Sequence, residues 1–118
     1  MIVDKLIDLP KHLAEKDSLI GLDLGTKTIG LAVSDNRRML ASSITVIVRK
    51  KFTIDAQTLI NYALEYEVGG IIIGLPVNMN GTEGPRSQST RQFAENLASK
   101  TALPISFWDE RLSTQAVE

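Results

Sequence analysis

Ile71-Ile72-Ile73-Gly74-Leu75 is a continuous apolar run that follows a helical stripe, and it limits the fold more than any other segment of this chain. A strand with no polar alternation is buried on both faces, which points to a parallel position in a sheet covered by helices. The stripe before it provides the crossover. Between residues 52 and 68, Ala56, Leu59, Ile60, Ala63 and Leu64 recur at the i, i+3, i+4, i+7, i+8 spacing of an amphipathic helix. Thr53 suits its cap and Gly69-Gly70 its stop. Pro76 ends the apolar strand, and residues 78–85, rich in glycine and asparagine, read as a surface loop at its carboxyl end. Asn80-Gly81-Thr82 within that loop is a turn signal, because no secretion signal supports reading it as a glycosylation acceptor. Pro85 then opens a second helix with Phe93, Ala94, Leu97 and Ala98 on its apolar face. A last strand, Ile105-Ser106-Phe107-Trp108, leads into Asp109-Glu110-Arg111, with a further helix expected to start near Ser113.

Upstream, three β-branched and apolar runs at residues 19–24, 28–34 and 44–48 read as antiparallel strands, the first two joined by the turn Gly25-Thr26-Lys27. The order β-β-β-α-β-α-β is that of an α/β protein, a mixed sheet with helices on its faces. At 118 residues, one domain is expected, large enough for a core and too small for two lobes closing on a ligand. Residues 1–17 form an N-terminal lead-in whose Asp4, Lys5, Asp8, Lys11, Glu15 and Lys16 fit neither a signal peptide nor a membrane span. No membrane partner is expected. The absence of cysteine excludes disulfides, zinc-thiolate sites and thiol nucleophiles, and leaves the cytoplasm as the expected location.

Chemistry centres on Asp23, a carboxylate set inside the apolar run Ile20-Gly21-Leu22-Asp23-Leu24. Buried there, it needs a cation or hydrogen-bond donors. Two readings are open: a metal ligand, or an acceptor for the backbone of the adjoining turn. Asp109 and Glu110 present the same choice, between a site at a strand end and the acidic first turn of a helix, and period-two alternation sends them to opposite sides. With the first and last strands close in the sheet, Asp23 and Glu110 would share a divalent ion, and oxygen ligands suit Mg2+ or Mn2+. Such ions activate water and stabilise the leaving oxygen in phosphodiester hydrolysis. His12, the one histidine, lies in the lead-in and reads as surface. A formal net charge of -1 argues against holding nucleic acid by charge alone. The clusters Arg37-Arg38 and Arg49-Lys50-Lys51 read either as phosphate contacts or as solvated charge at strand ends.

Three blocks, GLDLGTKTIGLAVSD at residues 21–35, IIIGLPVNMNGTEGPRS at 71–87 and FWDERLST at 107–114, together resemble the YqgF/RuvX family of the RNase H-like superfamily. The resemblance implies an RNase H-like α/β fold and a metal-dependent nuclease that matures the 5′ end of pre-16S ribosomal RNA. It also implies an older alternative, a Holliday junction resolvase-like enzyme cutting branched DNA. Asp23 matches the acid of the family's first strand and Glu110 that of its DER motif, both implied as metal ligands. Lys27, Asn78 and Arg111 match polar positions beside them, implied to contact phosphate or orient the acids, with a turn-stabilising role open for Asn78. Relatives carry a third acid on a further helix, so this sequence, ending at Glu118, is expected to have a truncated C-terminal helix and an incomplete metal site. A catalytically impaired nucleic-acid-binding module is the non-enzymatic alternative, and either monomer or homodimer is compatible with the residues.

Asp23-Leu24-Gly25-Thr26 also resembles the phosphate-binding hairpin of sugar kinase and actin ATPases, but the second lobe and second glycine-rich loop of those proteins are lacking. Nor is there a P-loop, since Leu31-Ala32 stands where Lys-Ser or Lys-Thr is required.

Overall fold

The structure, a computed structural model, describes residues 2, 18–34, 41–78 and 80–109. The elements follow the expected order: β1 (Ser18–Leu24), β2 (Thr28–Ser34), β3 (Ala41–Val48), α1 (Phe52–Glu65), β4 (Val68–Leu75), α2 (Pro85–Ala98) and β5 (Ile105–Asp109). They build one five-stranded sheet of order β3-β2-β1-β4-β5. The hairpin turn makes β2 antiparallel to β1, and β3 pairs antiparallel with β2. The helical crossovers make β4 parallel to β1 and β5 parallel to β4, as parallel pairing requires. The first and last strands therefore lie in one sheet with β4 between them.

Alternation along β1 sends Ile20, Leu22 and Leu24 to one face, where they are buried. Their partners Leu31 and Ile29 on β2 join them through the register Leu22↔Leu31 and Leu24↔Ile29. Ile71 and Ile73 of β4 lie beside them on the same face. Ala56, Leu59 and Ala63 of α1 and Phe93, Ala94 and Leu97 of α2 complete this single core. Phe52 and Phe93 link the two helices edge to face, with ring centroids 5.3 Å apart.

Both helices thus pack on one face, whereas the sequence suggested cover on both. Ile72 and Gly74 of β4 are only partly buried, so the unbroken apolar run reflects one deep face and one shallow one. Periodicity reports which residues share a face, not what covers it.

Helix ends also differ from expectation. Thr53 makes no cap. Instead the buried carboxylate of Asp55 reaches back and accepts the backbone N–H of Lys50 through both oxygens, at 3.0 and 3.1 Å. This satisfies a donor just ahead of the helix and sets an acid in its first turn. At the other end α1 stops before the glycine pair. Glu67 takes a left-handed φ of 53°, and Val68 enters β4 directly, so Gly69 and Gly70 belong to the strand. Leu64, assigned to the apolar face, is 71% exposed. The β1–β2 turn needs its glycine: the N–H of Gly25 donates to the Thr28 carbonyl at 2.8 Å, and a Cβ there would stand 3.1 Å from the same oxygen. Of the lead-in, only Ile2 is described; it forms a parallel bridge with Ile105. The helix start near Ser113 falls outside the described residues.

Candidate functional site

The face away from the helices carries an open groove of about 810 Å³. Its geometry follows from register. Asp23 pairs with Gly30, Gly30 with Val46, and Gly74 with Trp108. One step beyond the pair Leu22↔Ile73, Asp23 comes level with Gly74. One lateral row across the sheet therefore reads Val46, Gly30, Asp23, Gly74, Trp108, and all five line the groove. The carboxylate has a residue without a side chain on each side, with valine and tryptophan as the outer walls.

Asp23 is exposed, which corrects the expectation of a buried carboxylate. The apolar residues around it in sequence, Leu22 and Leu24, point to the core, while Gly30 and Gly74 leave its own side open to water. Its charge is therefore not explained by a buried partner. Among the described residues it accepts no hydrogen bond and meets no cation, so the turn-acceptor reading finds no support there. An exposed carboxylate with free oxygens is a hard donor suited to Mg2+ or Mn2+. Among the described residues no group of three His, Cys, Asp or Glu gathers to hold a metal. Glu110 and Arg111 lie outside the described residues.

Lys27 is exposed at the β1–β2 turn, close in the chain to Asp23, and its carbonyl accepts the N–H of Arg49 at 2.9 Å. Asn78 is occupied within its own loop: its side-chain amide donates to Thr82 Oγ1 at 3.0 Å, and its backbone N–H to the Thr82 carbonyl at 2.8 Å. The loop is tied down further. Val77 bridges to Glu83, and Ser87 Oγ, fully buried, donates to the Pro76 carbonyl. Glu83 accepts both Nε and Nη2 of Arg91 at 2.7 Å, a bidentate pair whose hydrogen bonds hold the Glu83 carboxyl below its ordinary pKa. The Arg91 guanidinium also lies 4.9 Å from the Phe107 ring centroid.

Sequence reasoning missed Trp108 as a wall of the groove. Its signal was present: Ile105 is buried in the core and Phe107 packs against it, so alternation sends Trp108 to the side of Asp23. Nor did sequence reasoning bring together two arginines that stand behind the end of β1. Arg49 donates through Nη1 to the Gly25 carbonyl at 2.7 Å, with its guanidinium 5.7 Å from the Phe93 ring centroid. Arg86 donates to the neighbouring Leu24 carbonyl at 3.5 Å. In the sequence Arg49 stood out only within the basic cluster Arg49-Lys50-Lys51, and Arg86 only as the residue after Pro85 at the start of the second helix.

Comparison with known proteins agrees with this architecture. The sequence profile of the family described as "RuvX: Holliday junction resolvase" matches residues 17–118. A Bradyrhizobium diazoefficiens protein named as a candidate pre-16S rRNA nuclease is 58% identical over 113 residues, covering 96% of this chain and 70% of its own length. Similarly named proteins of Nitrobacter hamburgensis and Rhodopseudomonas palustris are 57% and 58% identical over the same number of residues. This chain thus spans about 70% of those relatives. Among solved structures, Thermus thermophilus RuvC in complex with a Holliday junction substrate superimposes with a TM-score of 0.58 at 12% identity, covering 85% of this chain and 69% of RuvC. A second structure of that RuvC gives a TM-score of 0.53. At such identities the likeness is one of fold. No described helix is long and apolar enough to cross a membrane.

Proposed function

This chain belongs to the RuvX family, and from that premise we propose that it is a metal-dependent nuclease that hydrolyses phosphodiester bonds in the 5′-end maturation of pre-16S ribosomal RNA. Relatives near 58% identity are named as candidate pre-16S rRNA nucleases, and a cytoplasmic location fits a ribosomal precursor as substrate. The observation that carries the reading is the Asp23 carboxylate, without a partner among the described residues, standing between Gly30 and Gly74 in an open groove. A phosphodiester is bulky and anionic. It needs lateral room beside a reactive carboxylate and a cation between the two negative charges.

Asp23 and Glu110 are the proposed ligands of one Mg2+ or Mn2+, each through carboxylate oxygens. The described residues fit such an ion at Asp23, and Trp108, two positions before Glu110, stands on the same face of the sheet. When bound, the ion supplies an activated water and stabilises the departing oxygen. The protein's own part is orientation. β1 is paired on both sides, so the Asp23 backbone is fixed. Trp108 offers a flat apolar wall against which a base can stack. Lys27, exposed at the β1–β2 turn, and Arg111 contribute positive charge toward phosphate. Asn78 shapes the loop that leads into α2, a supporting role rather than a contact.

Asp23→Asn tests the assignment. It keeps the shape and removes the charge, so manganese-dependent cleavage of a pre-16S 5′ fragment should fall by more than about 100-fold, the equivalent of several kcal/mol of lost ion and charge stabilisation. Binding of the same RNA without metal should persist. A four-way DNA junction in parallel decides the substrate, since symmetric cutting of a junction calls for a two-fold dimer. If wild-type protein cuts neither substrate with manganese, the fold serves as a nucleic-acid-binding module in this form.

A further inference from the structure

On the helix side of the sheet, at the same end of β1 as Asp23, lies a small cleft of about 80 Å³ into which Thr26, Arg49, Arg86 and Ser89 project. We propose that this cleft holds a second, uncut phosphate of the bound nucleic acid, gripped by Arg49 and Arg86. The inference rests on the nucleic-acid reading above and adds to it a subsite, a ligand class and two residues.

Charge comes first. Two guanidinium groups share the cleft, and among the described residues neither meets a carboxylate. Like charges gathered without a counter-ion repel one another, so the arrangement favours an anion between them. Arg91, by contrast, has its acid in Glu83.

Geometry comes second. A guanidinium carries five N–H donors, and the Gly25 and Leu24 carbonyls each take one. Those bonds, with the Phe93 ring beneath Arg49, hold the groups in place while most donors stay available. Thr26 and Ser89 add hydroxyl groups to the lining. α2 begins here with no side-chain cap and no acid in its first turn, so its positive end is also uncompensated.

Size comes third. The cleft has about half of the ~150 Å³ that accommodates a benzene ring. That size suits a phosphate group better than a base. Asp23 and Leu24 are successive residues with opposite faces, so a strand passing over the end of β1 sets one phosphate at the carboxylate and a neighbouring one in the cleft.

The test measures binding of a pre-16S 5′ fragment against salt concentration, without divalent metal, for wild type, Arg86→Gln, Arg86→Lys and the double variant R49Q/R86Q. Melting of each variant checks that it is folded. Loss of one phosphate contact should lower the slope of log K against log salt by about 0.7 to 0.9. That loss is expected in Arg86→Gln and in the double variant, with Arg86→Lys retaining the slope. Cleavage of bis(p-nitrophenyl) phosphate, a diester with no second phosphate, should be the same in Arg86→Gln as in wild type. A folded R49Q/R86Q protein that binds with the wild-type slope overturns the proposal. So does an equal loss on the small diester, which would place Arg86 at the scissile group. The binding arm needs no cleavage, so an inactive protein refutes the nuclease reading while leaving the subsite to be judged by its slope.

Discussion

Replacing Gly30 by alanine should make the protein more stable and less active, because the same missing methyl group serves the groove and weakens the strand. Gly30 sits in the middle of β2, opposite Asp23, and positive φ among described glycines occurs only at Gly81. Alanine therefore adopts its backbone without strain. The added Cβ would lie 3.7 Å from the Asp23 Cβ, ordinary van der Waals contact. With no clash to offset it, the reduced backbone entropy of the unfolded chain should contribute about 0.5–1 kcal/mol. For 118 residues the unfolding entropy is about 0.25 kcal/mol/K, so the melting temperature should rise by about 2–4 °C. The methyl group nevertheless narrows one flank of the carboxylate, and a misfit of that size costs about 1–3 kcal/mol at a reacting centre. Calorimetry and metal-dependent RNA cleavage on the same preparation read the two effects. A drop in melting temperature would contradict the packing argument. A rise with unchanged kcat/KM would show that substrate does not pass between Gly30 and Gly74.

Two further substitutions probe the frame around the groove. Asp55→Ala removes the acceptor for the Lys50 N–H from a buried position, and a loss of about 1–2 kcal/mol is expected in urea unfolding, with cleavage unaffected below the transition. Glu83→Gln breaks the pair with Arg91, which is partly exposed and hence worth about 0.2–1 kcal/mol at neutral pH. The Glu83 pKa is lowered in the folded protein, so this contribution is present above the ordinary value of 4.5 and disappears as pH falls through the folded pKa. Wild type and Glu83→Gln should therefore converge in stability toward pH 3, and a difference that widens on acidification would refute the sign.

The order of elements was legible because each rests on a local signal. Alternation at Ile20, Leu22 and Leu24, the stripe at Ala56, Leu59 and Ala63, and Pro85 at a helix start are all properties of neighbouring residues. What was not legible depends on contacts across the sheet. That Asp23 lies between two glycines is a matter of register with β2 and β4, and no spacing within β1 reveals it. The same is true of Arg49 and Arg86, 37 residues apart, which meet only because β3 and α2 both begin or end beside the β1 turn. Thr53 does not cap α1, and the acid of its first turn, Asp55, instead accepts the Lys50 N–H just ahead of the helix. Gly69-Gly70 looked like a stop, yet Glu67 supplied the reversal and freed both glycines for β4.

The strand that bears Asp23 is held by antiparallel β2 along one edge and parallel β4 along the other. Its amides can exchange with solvent only when the sheet itself parts, so the carboxylate has no local route to disorder of its own. Heat should then abolish activity and the core in a single cooperative event, with no intermediate range in which the protein is folded but its reactive group has wandered.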